Sequence, residues 1–126
     1  MWKSVLAISV GASAGAVLRW AVGKALNSLW SAIPLGTLAV NIVGGFCIGI
    51  ALRFFSLYPG LAQEWRLLVI TGFLGGLTTF STFTAEIGMF LQEERTIAAL
   101  TSIILHVGGS LSAFFLGILL TRNLGS

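Results

Sequence analysis

Thr71-Gly72-Phe73-Leu74-Gly75-Gly76-Leu77-Thr78-Thr79-Phe80-Ser81-Thr82-Phe83 lies inside an apolar segment that runs from about Leu67 to Leu91. By length, that segment is one membrane helix. Its middle argues against an unbroken one. Adjacent glycines weaken a helix, and the hydroxyls of Thr78, Thr79, Ser81 and Thr82 compete for backbone hydrogen bonds. The expected break falls between roughly Gly75 and Thr79. A break at bilayer depth strands N–H and C=O groups and is tolerated only where protein or a cavity surrounds it. Ion and substrate sites are commonly built at such discontinuities. The alternative is a kinked, inert helix whose glycines serve packing.

The rest of the chain is membrane-like as well. Of its 126 residues 56% are hydrophobic and 9% charged, more apolar surface than one soluble domain of this length can bury. Four stretches reach spanning length: about Val5–Leu26, Leu35–Leu57, Leu67–Leu91 and Ile97–Leu120. Short connections make consecutive spans antiparallel, and residues 1–126 form a single four-helix transmembrane domain. Lys3, the apolar run after it and Ala12-Ser13-Ala14 loosely resemble a signal peptide. The apolar run continues past that point, so the stretch is kept as the first span. The net charge is +3 with no basic run, which argues against a nucleic-acid partner. Cys47 is the only cysteine and so has no intrachain partner.

Four spans put Lys3, Arg53, Arg66 and Arg122 on one side and Arg19, Lys24 and Arg95 on the other. Orientation follows an excess of Lys and Arg on the cytoplasmic side, and four against three is almost none. Insertion in both orientations is the expectation, which permits an antiparallel homodimer. Gly11–Gly15, Gly45–Gly49 and Gly72–Gly76 each place small residues four apart, the spacing that lets helix backbones approach closely in lipid. They predict tight packing within or between protomers.

Several polar residues stand out within the spans. Arg19 is either a snorkelling side chain or a cation at the mouth of an anion path. Thr37, Asn41, Gly44, Gly45 and Gly49 share one helix face. Asn41 is the only amide deep in a span and must find a partner. It is either a helix–helix clamp or a free N–H₂ donor facing an anion. Glu86, a mid-span carboxylate, is functional by default and is expected to pair with Arg19 or to sit in a wet vestibule. Ser102, His106 and Ser110 repeat every four residues. With no Asp in the chain, a Ser–His hydrolase lacks its third member, and one His is poor support for a metal site. The stripe is read as a polar track or a packing seam.

Taken together, Gly11-Ala-Ser-Ala-Gly-Ala-Val-Leu-Arg19, Pro34-Leu-Gly-Thr37-Leu-Ala-Val-Asn41, the Thr71–Phe83 stretch and Glu86 resemble the Fluc (CrcB) family of bacterial fluoride channels over nearly the whole chain. The resemblance implies an all-α membrane protein of four transmembrane helices per protomer, the third broken near its middle. It implies an antiparallel, dual-topology homodimer in the bacterial inner membrane, with two fluoride pores and a structural Na⁺ at its centre. The Na⁺ ligands would be the carbonyls of Gly75 and Thr78. The fluoride pore would be lined by Asn41, Phe80, Phe83, Ser81, Thr82 and Ser110, with Arg19 and Glu86 in a vestibule. His106 matches no family signature. The chemistry is consistent: amide and hydroxyl groups donate, and the electropositive edges of aromatic rings can face an anion. A small multidrug-type exporter has the same span count and dual topology, but it needs an acid in the first span, where this chain has Arg19. A non-transporting membrane assembly protein needs neither the break nor the Asn–Phe–Phe set.

Overall fold

A computed structural model describes residues 1–123. Four helical spans are long and apolar enough to cross a membrane: Trp2–Leu26, Leu35–Leu57, Gln63–Gln92 and Thr96–Leu120. The first two are helices α1 and α2, and the last is α6. The third is composite. It opens with α3 (Gln63–Arg66), continues as a π-helix (Leu67–Leu74) and a short α4 (Gly75–Leu77), and resumes as α5 (Phe80–Gln92). Thr78 and Thr79 between α4 and α5 are extended, with ψ of 156° and 119°. The break therefore falls within the expected window, at its C-terminal end. No strand occurs among the described residues.

The small-residue motifs pack within the chain. A Cβ on Gly11 would meet the Phe73 amide nitrogen at 2.8 Å, and one on Gly15 would collide with the Phe73 carbonyl oxygen and lie 2.7 Å from the Leu77 nitrogen. Gly72 and Gly76 lie against Ile8, Gly11 and Ala12 in the same way. The first and third spans thus touch backbone to backbone along two facing stripes, which is how small residues substitute for a hydrophobic driving force in lipid. Gly45 and Gly49 do the same against the backbone of Ser110 and Phe114 in α6, and Gly117 against Phe46 of α2.

These contacts make a prediction. Gly15→Ala should force α1 off the third span, at a cost at the upper end of the ~1–3 kcal/mol typical of overpacking, because the colliding atoms are backbone. Gly88→Ala, where nothing lies within 4 Å, should be near neutral. Melting temperature and monodispersity in detergent check the pair. Equal behaviour of the two variants would refute the packing assignment.

The connections are tied down on one side. Asn27 Oδ1 accepts from the Thr37 N–H at 3.1 Å, which satisfies a first-turn donor of α2 that has no helical partner. Arg95 donates to the Ala32 carbonyl at 2.9 Å. Its turn contains Glu94 at φ 60°, a left-handed position that costs a non-glycine residue some strain.

Candidate functional site

The break is built from hydrogen bonds that replace those the helix has lost. In a continuous helix the Thr79 N–H would reach the Gly75 carbonyl, and the Thr82 N–H the Thr78 carbonyl. Here the Thr79 N–H donates to Asn41 Oδ1 at 2.8 Å, and the Thr82 N–H donates to Thr79 Oγ1 at 3.1 Å, an N-cap for α5. The carbonyls of Gly75 and Thr78 are released as a result. The Gly76 carbonyl accepts from Arg19 Nε at 3.0 Å. Among the described residues, the Phe80 and Ser81 N–H groups have no helical acceptor. They form the positive end of α5.

Asn41 holds the break from α2. Its Nδ2 donates to the Thr79 carbonyl at 3.0 Å while its Oδ1 takes the Thr79 N–H. The amide thus pairs with an extended residue as a neighbouring strand would. The second Nδ2 hydrogen points at His106 Nδ1, 3.0 Å away. An amide nitrogen accepts nothing, so His106 Nδ1 is the acceptor and its ring hydrogen is assigned to Nε2. The clamp alternative is therefore the one observed, and the free N–H₂ donor is not. All the hydrogen-bonding atoms of the Asn41 amide are engaged.

A cavity of about 440 Å³ opens beside this clamp, lined among others by Asn41, Thr78, Phe80, Phe83, His106 and Ser110. Gly75 borders it as well. Phe80 and Phe83 lie together as their spacing of three requires, with ring centroids 5.6 Å apart, and Phe83 rests on the His106 ring at 4.5 Å. Phe83 is 8% exposed and Phe80 78% exposed, so Phe83 is packed inside the chain and Phe80 projects from it. A second cavity of about 320 Å³ lies on the other side of the break. Arg19, Lys24, Thr37 and Thr82 line it, and Thr79 borders both cavities.

The residues expected at the site thus divide. Asn41, Phe80, Phe83, Ser110, Gly75 and Thr78 border the larger cavity, and Arg19 and Thr82 the smaller. Ser81 is exposed and borders neither, its hydroxyl 3.3 Å from that of Thr79. One expectation for Glu86 is corrected. It does not pair with Arg19, whose Nε is directed at the break carbonyl. Its Oε2 accepts from Thr37 Oγ1 at 2.6 Å, and its Oε1 is buried. His106 is the residue the sequence reading left out. Its four-residue register with Ser102 and Ser110 was the available signal, but nothing in the sequence pairs it with Asn41, 65 positions away.

Residues 6–118 match the family described as CrcB-like protein, Camphor Resistance (CrcB). Curated relatives agree over most of the chain. A protein of Pseudomonas paraeruginosa is 58% identical over 118 residues, covering 94% of this chain and 93% of its own. One of Tolumonas auensis is 59% identical over 117 residues, covering 93% and 92%, and one of Desulfovibrio desulfuricans is 56% identical over 117 residues, covering 93% and 91%. Each is named a fluoride-specific ion channel, FluC. With its four spans and this extent of agreement, the chain belongs to the CrcB-like family of multi-pass bacterial membrane proteins.

Proposed function

We propose that this chain is a fluoride-selective channel that works as an antiparallel homodimer with two pores. The observation that carries the reading is the larger cavity, where two phenylalanine rings, the first turn of α5 and the Ser110 hydroxyl meet at the break, in a chain whose relatives bear the fluoride-channel name. Fluoride is small, hard and strongly hydrated, so a pore must offer donors and positive potential in place of water without holding the ion too tightly. The α5 N-terminus supplies oriented N–H groups, Ser110 a hydroxyl, and Phe80 and Phe83 electropositive ring edges. Arg19 and Lys24 at the smaller cavity raise the local anion concentration. Asn41 contributes by fixing the break rather than as a free donor. The test is ion flux from proteoliposomes, fluoride against chloride. Rapid fluoride release with chloride retained is the expected result, and equal release of both or of neither would overturn the reading.

The dimer rests on the four-to-three distribution of cations and on Phe80, which projects from the protomer where only a partner or lipid can cover it. Adding two lysines at one terminus should bias insertion and lower flux. Full activity with every molecule in one orientation would rule out the antiparallel arrangement.

Na⁺ at the dimer centre would be held by the Gly75 and Thr78 carbonyls of both protomers, a set of four related by two-fold symmetry. Their release from helical bonding supports the fit. Backbone oxygens suit a hard cation, and the lack of a carboxylate suits a monovalent one. Bound there, the ion would fix two breaks against each other. Thr78→Ser should therefore be mild, while exhaustive exchange of Na⁺ for a large organic cation should lower flux and melting temperature together. If neither changes, the carbonyls have another role.

A further inference from the structure

Three buried polar atoms of α5 and α6 have no partner among the described residues: Glu86 Oε1, Ser102 Oγ and His106 Nε2. The register of the helices brings them together. α2 and α6, the second and fourth spans, run in the same direction, and the Asn41–His106 bond aligns them at one level. Thr37 and Ser102 each lie four residues earlier, hence one turn away on the same side. α5 runs the opposite way, with Phe83 on the His106 ring and Glu86 three residues later, bonded to Thr37. Glu86, Thr37 and Ser102 therefore share the layer next to the Asn41–His106–Phe83 layer. Ser102 is 0% exposed and His106 4%.

The three atoms ask for different things. His106 Nε2–H only donates, because Asn41 occupies Nδ1. The Ser102 hydroxyl can donate or accept, and Glu86 Oε1 accepts when the carboxylate is ionised. A halide cannot donate to Glu86, and a cation has nothing to gain from an N–H. Water accepts two hydrogen bonds and donates two, and buried waters are found where polar groups lack protein partners. We propose that Glu86 Oε1, Ser102 Oγ and His106 Nε2 hold one buried water between α5 and α6, and that this water hydrates the anion as it passes Phe83. The second half rests on the fluoride reading; the first does not.

The chain has a single histidine, so ¹⁵N-histidine labelling of the full protein in lipid bilayers gives an unambiguous solid-state NMR spectrum. The expected result is one ring protonated at Nε2, with a cross-peak from a slowly exchanging water to that proton. Ser102→Thr, which keeps the hydroxyl, should retain the cross-peak. Ser102→Val, of the same shape without it, should lose the cross-peak and about tenfold in fluoride flux relative to Ser102→Thr. A ring protonated at Nδ1, no water cross-peak in the parent, or a cross-peak equally strong in Ser102→Val would overturn the proposal. A direct ¹⁵N–¹⁹F coupling would overturn it too, because the site would then belong to the anion. If both variants fail to fold, the parent spectrum alone decides. A parent that shows the water but carries no fluoride refutes the channel reading and leaves the water site standing.

Discussion

Phe80→Ile and Phe83→Ile should each lower fluoride flux by orders of magnitude while the protein still assembles. Isoleucine keeps bulk and apolarity but has no ring quadrupole, so the electropositive edge that can face an anion is gone. The two positions differ in what else they lose. Phe80 is 78% exposed, so its replacement leaves the chain's own core untouched, and a loss of flux from protein that still assembles belongs to the pore. Phe83 is 8% exposed and stacked on His106 at 4.5 Å, so its replacement should also cost about 1–3 kcal/mol of stability through imperfect repacking. Phe→Met should be gentler at either position, because a thioether is polarizable and adaptable. Phe115, 62% exposed on α6, serves as the control, and Phe115→Ile should conduct like the parent. Flux and melting temperature are measured on the same preparations. If Phe80→Ile and Phe83→Ile both conduct normally, the rings are packing residues and the ion takes another route.

Those rings show how far the sequence could be read. Their shared face followed from a spacing of three, and the break from two glycines followed by clustered hydroxyls. Both are local signals, settled within a few turns of one helix. The four spans and the glycine stripes were legible for the same reason, since periodicity and residue size act between neighbours. The π-helix over Leu67–Leu74 was not legible. Its residues have no composition that distinguishes π from α winding, and only the facing stripe of α1 shows what the winding accommodates. The partners of Arg19, Glu86 and His106 were hidden for a different reason. Each is chosen by tertiary juxtaposition across 57, 49 and 65 positions respectively, and several acceptors compete for each donor. For Arg19 and Glu86, charge complementarity suggested a pair. Instead, the free carbonyl at the break took the guanidinium, and a threonine one helix away took the carboxylate.

Asn41 makes three such long-range bonds, two to Thr79 and one to His106, and its replacement should do the most damage. Asn41→Ala strands the Thr79 N–H, the Thr79 carbonyl and His106 Nδ1. Each unpartnered buried group costs about 1–3 kcal/mol, and bilayer depth offers little water to replace the bonds. Little folded protein should be recovered. Asn41→Asp separates the chemistry from the shape. The carboxylate still accepts the Thr79 N–H, but it has no hydrogen for the Thr79 carbonyl or for His106 and places a second oxygen against that carbonyl. It should assemble poorly and conduct no fluoride, although it is nearly isosteric. His106→Ala removes one acceptor and leaves both bonds to Thr79 in place, so it should retain more melting temperature than Asn41→Ala. The order expected in melting temperature is parent, then His106→Ala, then Asn41→Asp and Asn41→Ala. If Asn41→Asp melts and conducts like the parent, the amide does not hold the break, and Thr79 must be fixed by its own hydroxyl cap instead.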